Sequence, residues 1–436
     1  MFSRIAGRIK DSLGVPWKRR LLENFISLTT LQGINCILPL ITVPYLVRVL
    51  GPEKFGLISF AQALITYFVI LTDYGFNLSA TRKVSIYRED KNKIAKIFSA
   101  VILIKFAFML TSFLGLTILV YALPRLRSDW SVYFSTFGIV LGNMLFPVWF
   151  FQGMENMKYI TLLTILARTV FTLSIFIFIR HQENYTYVPI LNSSGTIAAS
   201  LLGLWFVRKN FNIRFTIPNF NSIIEELMDG WHIFISSLAN SLYTISTPFI
   251  LGLFTNNTIV GYYSAGERII APFVNLTSPF SQTIFPHISK IANVSKEKTL
   301  EFLGHLCIPA GFLILIFCSG LFVFADKITL TILGRQYYES ILIVKIISFY
   351  PLVIFLSNIF GTQIMISFNL LAARTRVIVS CGIVHLIILL SLVPFYRHIG
   401  AAIALITTQT FAATGLLLSI LKYKNTTQVE LTANEA

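Results

Sequence analysis

Six ionisable side chains stand inside otherwise apolar runs: the cations Lys105, Arg168, Arg268 and Lys345, and the carboxylates Asp73 and Glu267. A charge in such a run is costly unless it pairs or meets water. Four cations against two carboxylates leave positive charge in surplus, and a surplus of that sign suits an anion. The alternative is a set of buried ion pairs, with Asp73 or Glu267 neutralising a cation or taking part in ion coupling. In "GYYSAGERIIAPF", residues 261–273, Glu267 and Arg268 are adjacent. Neighbours on a helix diverge by about 100°, so one faces a cleft while the other pairs with a neighbouring element. Lys105 is the weakest of the four, because its helical neighbours Val101, Ile102, Phe108 and Met109 are all apolar.

Uncharged polar residues fall into stripes at helical spacing. One runs through Ser236, Asn240, Thr244 and Thr247, and another through Thr161, Thr164, Arg168 and Thr172. A third holds Ser264, Glu267, Arg268, Asn275, Ser278 and Gln282, and a fourth Gln32 and Asn35. With Gln62, the residues Asn35, Asn240, Thr244 and Asn275 form the candidate polar lining of a cleft. Alternatively these side chains hydrogen-bond helices to one another. No phosphate-cradling glycine loop, HExxH, DxD pair or Cys/His cluster occurs, so no catalytic residue, metal or cofactor is expected. His305 and His385 read as bonded core histidines, with a proton relay as the alternative. Cys36, Cys307, Cys318 and Cys381 read as small core hydrophobes.

The elements that must hold these residues are membrane helices. Of 436 residues 55% are hydrophobic and 12% charged, against roughly 25% charged in soluble domains. Apolar runs of about 20 residues, each able to cross a hydrocarbon core of about 30 Å, extend over 22–49, 57–79, 95–123, 131–151, 158–179, 187–207, 232–254, 259–287, 300–325, 339–367, 377–395 and 399–421. The fold expected is therefore all-α, with twelve transmembrane helices. Of 35 Lys and Arg, 23 lie in the leader, the even-numbered connections and the tail, against 8 in the odd-numbered connections. The positive-inside rule then places both termini in the cytoplasm. Residues 1–20 read as a retained basic leader, because the apolar run that follows is too long for a signal peptide and lacks a small-residue cleavage site. The net charge of +16 is thus a matter of orientation, and no nucleic-acid partner is expected.

The longest connection divides the spans into lobes, 1–208 and 231–436, joined by a linker, 209–230, that ends in a short amphipathic stretch, "NSIIEELMDG". Shifting the sequence by 205 residues aligns Asn35 with Asn240, Thr42 with Thr247, Gly56 with Gly261, Ser59 with Ser264 and Gln62 with Glu267. Six spans per half make the repeats parallel, related by a pseudo-two-fold axis along the membrane normal around a central cleft.

The stretch "LGPEKFGLISFAQALITYFVILTDYGFNLSATRKVS", residues 50–85, resembles the polysaccharide-transporter family, the Wzx-type O-antigen flippases. The resemblance rests on Phe55–Gly56, Gln62, Asp73 with Gly75, and Thr81–Arg82. "PVWFFQGMENMKYIT", from Pro147, and "GYYSAGERIIAP" are similar to further motifs of that family; the last two spans carry little that matches. The resemblance implies a member of the multidrug/oligosaccharidyl-lipid/polysaccharide superfamily. Such a protein flips an undecaprenyl-diphosphate-linked oligosaccharide across the bacterial inner membrane, and the resemblance leaves open whether a polysaccharide polymerase or ligase docks on it. Two rivals are a cation-coupled drug extruder, which calls for an excess of buried carboxylates, and a membrane polymerase or glycosyltransferase, which calls for a large outer loop or acidic catalytic positions.

Overall fold

The computed structural model describes residues 16–292 and 294–435; residues 1–15 of the expected leader lie outside them. All regular structure among the described residues is helical. The α-helices, in chain order, are α1 (Pro16–Asp73), α2 (Phe76–Ile86), α3 (Lys91–Ala122), α4 (Pro124–Ser128), α5 (Trp130–Leu145), α6 (Val148–Gly153), α7 (Met157–Phe178), α8 (Tyr187–Phe211), α9 (Phe220–Thr244), α10 (Ser246–Phe254), α11 (Asn257–Ala292), α12 (Lys296–Val323), α13 (Ala325–Ile332), α14 (Ser340–Ile347), α15 (Tyr350–Asn358) and α16 (Leu371–Glu435). A π-helical segment, Ile359–Ile366, follows α15. Among the described residues eight helical stretches are long and apolar enough to cross a membrane, and the bent pair α9–α10 makes nine. The chain is a multi-pass integral membrane protein. Two of the stretches, Thr29–Ile86 and Leu371–Tyr423, run to 58 and 53 residues, more than twice the ~20 that one crossing needs. Each contains a non-helical residue, Gly51 or Arg397.

Several expected spans are broken, and proline explains two of the breaks. A proline donates no N–H to the carbonyl four residues earlier. Pro248 therefore leaves the Thr244 carbonyl without its helical bond, and α9 and α10 meet at Ile245 with a 57° bend. Pro147 does the same to Asn143, and α5 gives way to α6 there. The linker's amphipathic stretch differs from expectation in length, for it is the beginning of the 25-residue α9.

The structure divides into two compact units. One comprises Ala61–Leu238 with the chain up to Thr42; the other comprises Val43–Phe60 with Ala239 onward. These units redistribute the chain relative to the expected lobes, since residues 43–60 group with the second half and the linker with the first.

In the first unit the two tightest neighbours, α5 and α8, approach through small residues. Ser193 Oγ donates to the Ser135 carbonyl at 2.5 Å, and Ser200 Oγ to the Gly142 carbonyl at 2.6 Å. Such groups let membrane helices close without unsatisfied polar atoms. The core holds Trp149, Phe150 and Phe151, fully buried beside Phe98 and Phe211. This aromatic knot fixes α6 against α2: the Thr81 hydroxyl donates to the Trp149 carbonyl at 3.1 Å, and Arg88 joins the Gly153 carbonyl at 3.0 Å and Glu155 at 2.8 Å.

In the second unit α11 crosses the segment 52–56 at backbone distance. A Cβ on Gly56 would fall 1.7 Å from the Asn257 carbonyl oxygen, and one on Gly261 would fall 1.9 Å from that of Pro52. Only glycine permits this approach. The crossing is reciprocal, because the 205-residue shift turns Pro52 into Asn257 and Gly56 into Gly261. The same shift relates the starts of α3 and α12, Lys91 after the N-cap Asp90 and Lys296 after the N-cap Ser295.

Candidate functional site

The six intramembrane charges fall into different environments. Lys105 is 2% exposed. Its ammonium lies 3.2 Å from Asp73 Oδ1 and donates to the Asn143 carbonyl at 3.3 Å. That carbonyl is the one Pro147 leaves without a helical donor, so the break in α5 supplies a ligand for the buried cation. Asp73 Oδ2 accepts from Asn77 Nδ2 at 2.9 Å. Asp73 is the last residue of α1, and the chain turns there through Tyr74 and Gly75 with φ of 47° and 81°. Lys105 and Asp73 thus form an interhelical pair, the alternative that charge balance had left open. Lys345 pairs with Asp326 at 2.8 Å, both partly exposed.

Arg168 is different. It is exposed on α7, and no hydrogen-bond or acidic partner meets it among the described residues. The helical wheel shows which residues share the Arg168 face. Leu162, Leu166, Val170, Leu173, Phe176, Ile177 and Phe178 are the exposed large apolar residues of α7. Five of them lie about 120–180° around the axis from Arg168, and Phe176 and Phe178, at the end of the helix, lie about 80° to either side of it. Thr161, Thr164 and Thr172 share the Arg168 side. The Arg168 stripe is therefore the polar face of α7, with Thr161 and Thr172 buried on it and the Thr161 hydroxyl donating to the Ser27 carbonyl at 3.1 Å.

The helix α9 repeats this arrangement in uncharged form. Ser236, Asn240 and Thr244 are exposed along one line, with the Thr244 hydroxyl donating to the Asn240 carbonyl at 3.0 Å. Exposed Ile224, Met228, Trp231 and Ile235 lie on the other side. Asn240 and Thr244 thus stand on the side of α9 away from its exposed apolar residues.

In the second unit Glu267 and Arg268 are both partly buried on α11. The Arg268 guanidinium carbon sits 5.2 Å from the centroid of the Phe55 ring, a cation–π distance. Tyr263 is fully buried one turn before Glu267. Asn275 is exposed on the Arg268 face, two turns further on. Asn35 and Gln62 are partly buried in the first unit, and Asn35 Oδ1 has no hydrogen-bond partner among the described residues. The side chains of Ser278 and Gln282 lie outside the described residues.

The two histidines part company. His385 is fully buried between Thr247, 3.1 Å from Nε2, and Thr408, 3.0 Å from Nδ1, which makes it a bonded core residue. His305 is exposed, with Nδ1 2.9 Å from the Glu301 carbonyl of its own helix. The four cysteines are free and buried. Sequence reasoning missed the Asn143 carbonyl and Asp326; for the first, the available signal was Pro147 four residues downstream of Asn143.

A helical, multi-pass fold with an exposed arginine on the polar face of one helix is that of a membrane protein rather than of a soluble binding protein. The family model for "Polysaccharide biosynthesis protein" matches residues 21–292, and the chain belongs to that family. It is 32% identical over 407 residues, 92% of its own length and 97% of the relative's, to a protein of Escherichia coli (strain K12) named as an O-antigen transporter. It is 20% identical, over 86% of its length and 78% of the relative's, to a Haloferax volcanii protein named as the low-salt glycan biosynthesis flippase Agl15. Among solved structures it resembles the lipid II flippase MurJ in an inward closed conformation, with a TM-score of 0.72, 13% identity, and 92% and 87% of the two chains covered. It also resembles an inward-facing multidrug transporter of the MATE family, with a TM-score of 0.66, 13% identity and 90% and 96% covered.

Proposed function

We propose that this chain is a flippase, not an enzyme, carrying an undecaprenyl-diphosphate-linked oligosaccharide of the O-antigen type from the cytoplasmic to the periplasmic leaflet of a bacterial inner membrane by alternating access. The observation that carries the proposal is Arg168, an exposed cation on the polar face of α7 with no hydrogen-bond or acidic partner among the described residues. A diphosphate is the anion such a face would hold, and the planar guanidinium fork suits phosphate oxygens. Thr164, Asn240 and Thr244 offer hydrogen bonds to sugar, while a polyprenyl tail stays in lipid. Lys105 and Lys345 are held by their partners Asp73 and Asp326, so the substrate role falls mainly on Arg168, with Arg268 on α11 as the second candidate. Relatives named as O-antigen transporters and as a glycan flippase support this cargo.

Twelve spans in two six-helix lobes remain our reading. Splitting the two double-length stretches at Gly51 and Arg397 raises the nine crossings to eleven. The 36-residue α11, whose polar side chains dilute an otherwise adequate length, makes twelve. The reciprocal glycine crossing and the matched starts of α3 and α12 support the parallel repeat.

The test is Arg168→Ala and Arg268→Ala in a strain lacking the chromosomal gene. Surface polysaccharide should be lost at normal protein level, and purified protein should change the leaflet, not the covalent structure, of a labelled lipid-linked sugar. Full surface polysaccharide in both variants would overturn the cationic site.

A further inference from the structure

One face of α9 is used neither by the candidate site nor by the core. Phe220, Ile224, Met228, Trp231 and Ile235 are exposed and recur at steps of four, four, three and four, within about 40° of one line along the helix. Ile217, just before α9, continues the series. Exposure reaches 91% at Ile217, 73% at Phe220 and 70% at Met228.

The rest of the helix is accounted for. Ile223, Leu227 and Phe234 pack on the core of the first unit, and Phe234 stacks on Tyr74 at 4.9 Å. Glu225, Glu226 and Asp229 converge on the Lys83 ammonium at 3.0, 2.9 and 2.7 Å. The acids sit about 100–160° from the apolar line, so they leave it free of negative charge.

Charge then decides the occupant. Arg208, Lys209 and Arg214, just upstream of the stripe, are exposed, and Lys209 Nζ lies 4.5 Å above the ring of exposed Trp205. A tryptophan beside a cation marks the headgroup level of a membrane helix. A row of apolar side chains next to three cations fits an anionic lipid surface. We propose that this stripe, with Arg208, Lys209 and Arg214, docks on anionic phospholipid of the leaflet that the charge bias assigns to the cytoplasm, seating the first turns of α9 at the headgroup–acyl boundary. The same helix holds Lys83 on another face, so lipid at the stripe bears directly on the linker's grip on α2.

The test uses full-length protein reconstituted in vesicles, spin-labelled at cysteines replacing Phe220, Met228 or, as control, Glu225. Collision rates with oxygen and with a water-soluble nickel chelate report immersion. In phosphatidylglycerol-containing vesicles the labels at 220 and 228 should favour oxygen, and the label at 225 should favour nickel. Replacing Arg208, Lys209 and Arg214 together by Gln should move the 220 label into water in those vesicles, with no change in pure phosphatidylcholine. Nickel access at 220 and 228 in both lipids would overturn the proposal. So would dipolar broadening between labels at 228, which would assign the stripe to a second copy of this chain.

Discussion

The pair Lys105–Asp73 shows what a single residue does here. Lys105 is almost fully buried, with its charge met by one carboxylate and one proline-freed carbonyl. Removing one partner strands the other, whereas removing both leaves a nearly neutral gap. Lys105→Met alone should therefore destabilise the purified protein by about 3 kcal/mol, and Lys105→Met with Asp73→Asn should recover most of that loss. Thermal unfolding in detergent, followed by size-exclusion fluorescence, measures both; equal losses in the single and double variants would show that the pair is not the source. The sequence made the two charges visible and could not join them. Asp73 and Lys105 are 32 positions apart, and their meeting depends on the rotation of two helices about their axes, which apolar neighbours do not encode. Arg168 differs, because its stripe lies on one helix, where spacing alone shows which residues share its face.

At the scale of elements, helix existence was readable because about 20 apolar residues have few other fates in this composition. Where a helix breaks was less readable. Pro147 and Pro248 mark two breaks after the fact, but Pro309 sits inside a continuous helix, so the residue alone does not decide. The π segment after α15 has no mark in the sequence that we recognise. Close helix contacts were partly legible, since the 205-residue shift singled out Gly56 and Gly261 before their crossing was seen. The crossing predicts opposite outcomes for one chemical change. Gly56→Ala and Gly261→Ala each place a methyl group inside a backbone carbonyl's contact radius and should lower the melting temperature or abolish stable protein. Gly33→Ala, on an exposed helical face with nothing within 4 Å of a Cβ, should be neutral or stabilise by up to about 1 kcal/mol through helix propensity. Tolerance of alanine at both 56 and 261, with unchanged melting, would mean that the helices do not cross this closely.

For the whole molecule, the governing quantities are the number of crossings and their direction, and both follow from where charge is placed. Arg125 and Arg127 lie in a connection with few cations, whereas Arg208, Lys209 and Arg214 lie in one rich in them. Between positions 127 and 209 three helical stretches are long enough to cross: Trp130–Gly153, Met157–Phe178 and Gln182–Phe211. An odd number puts the two positions on opposite sides. Arg127 and Lys209 are exposed, and the four native cysteines are buried, so a single introduced cysteine will dominate labelling by a membrane-impermeant maleimide. In intact spheroplasts Arg127→Cys should label and Lys209→Cys should label only after permeabilisation. The reverse pattern would invert the orientation and place the basic linker outside. Labelling of both from one side would require an even number of crossings between them, and the twelve-span count with its parallel lobes would fall, because every later connection would then change sides.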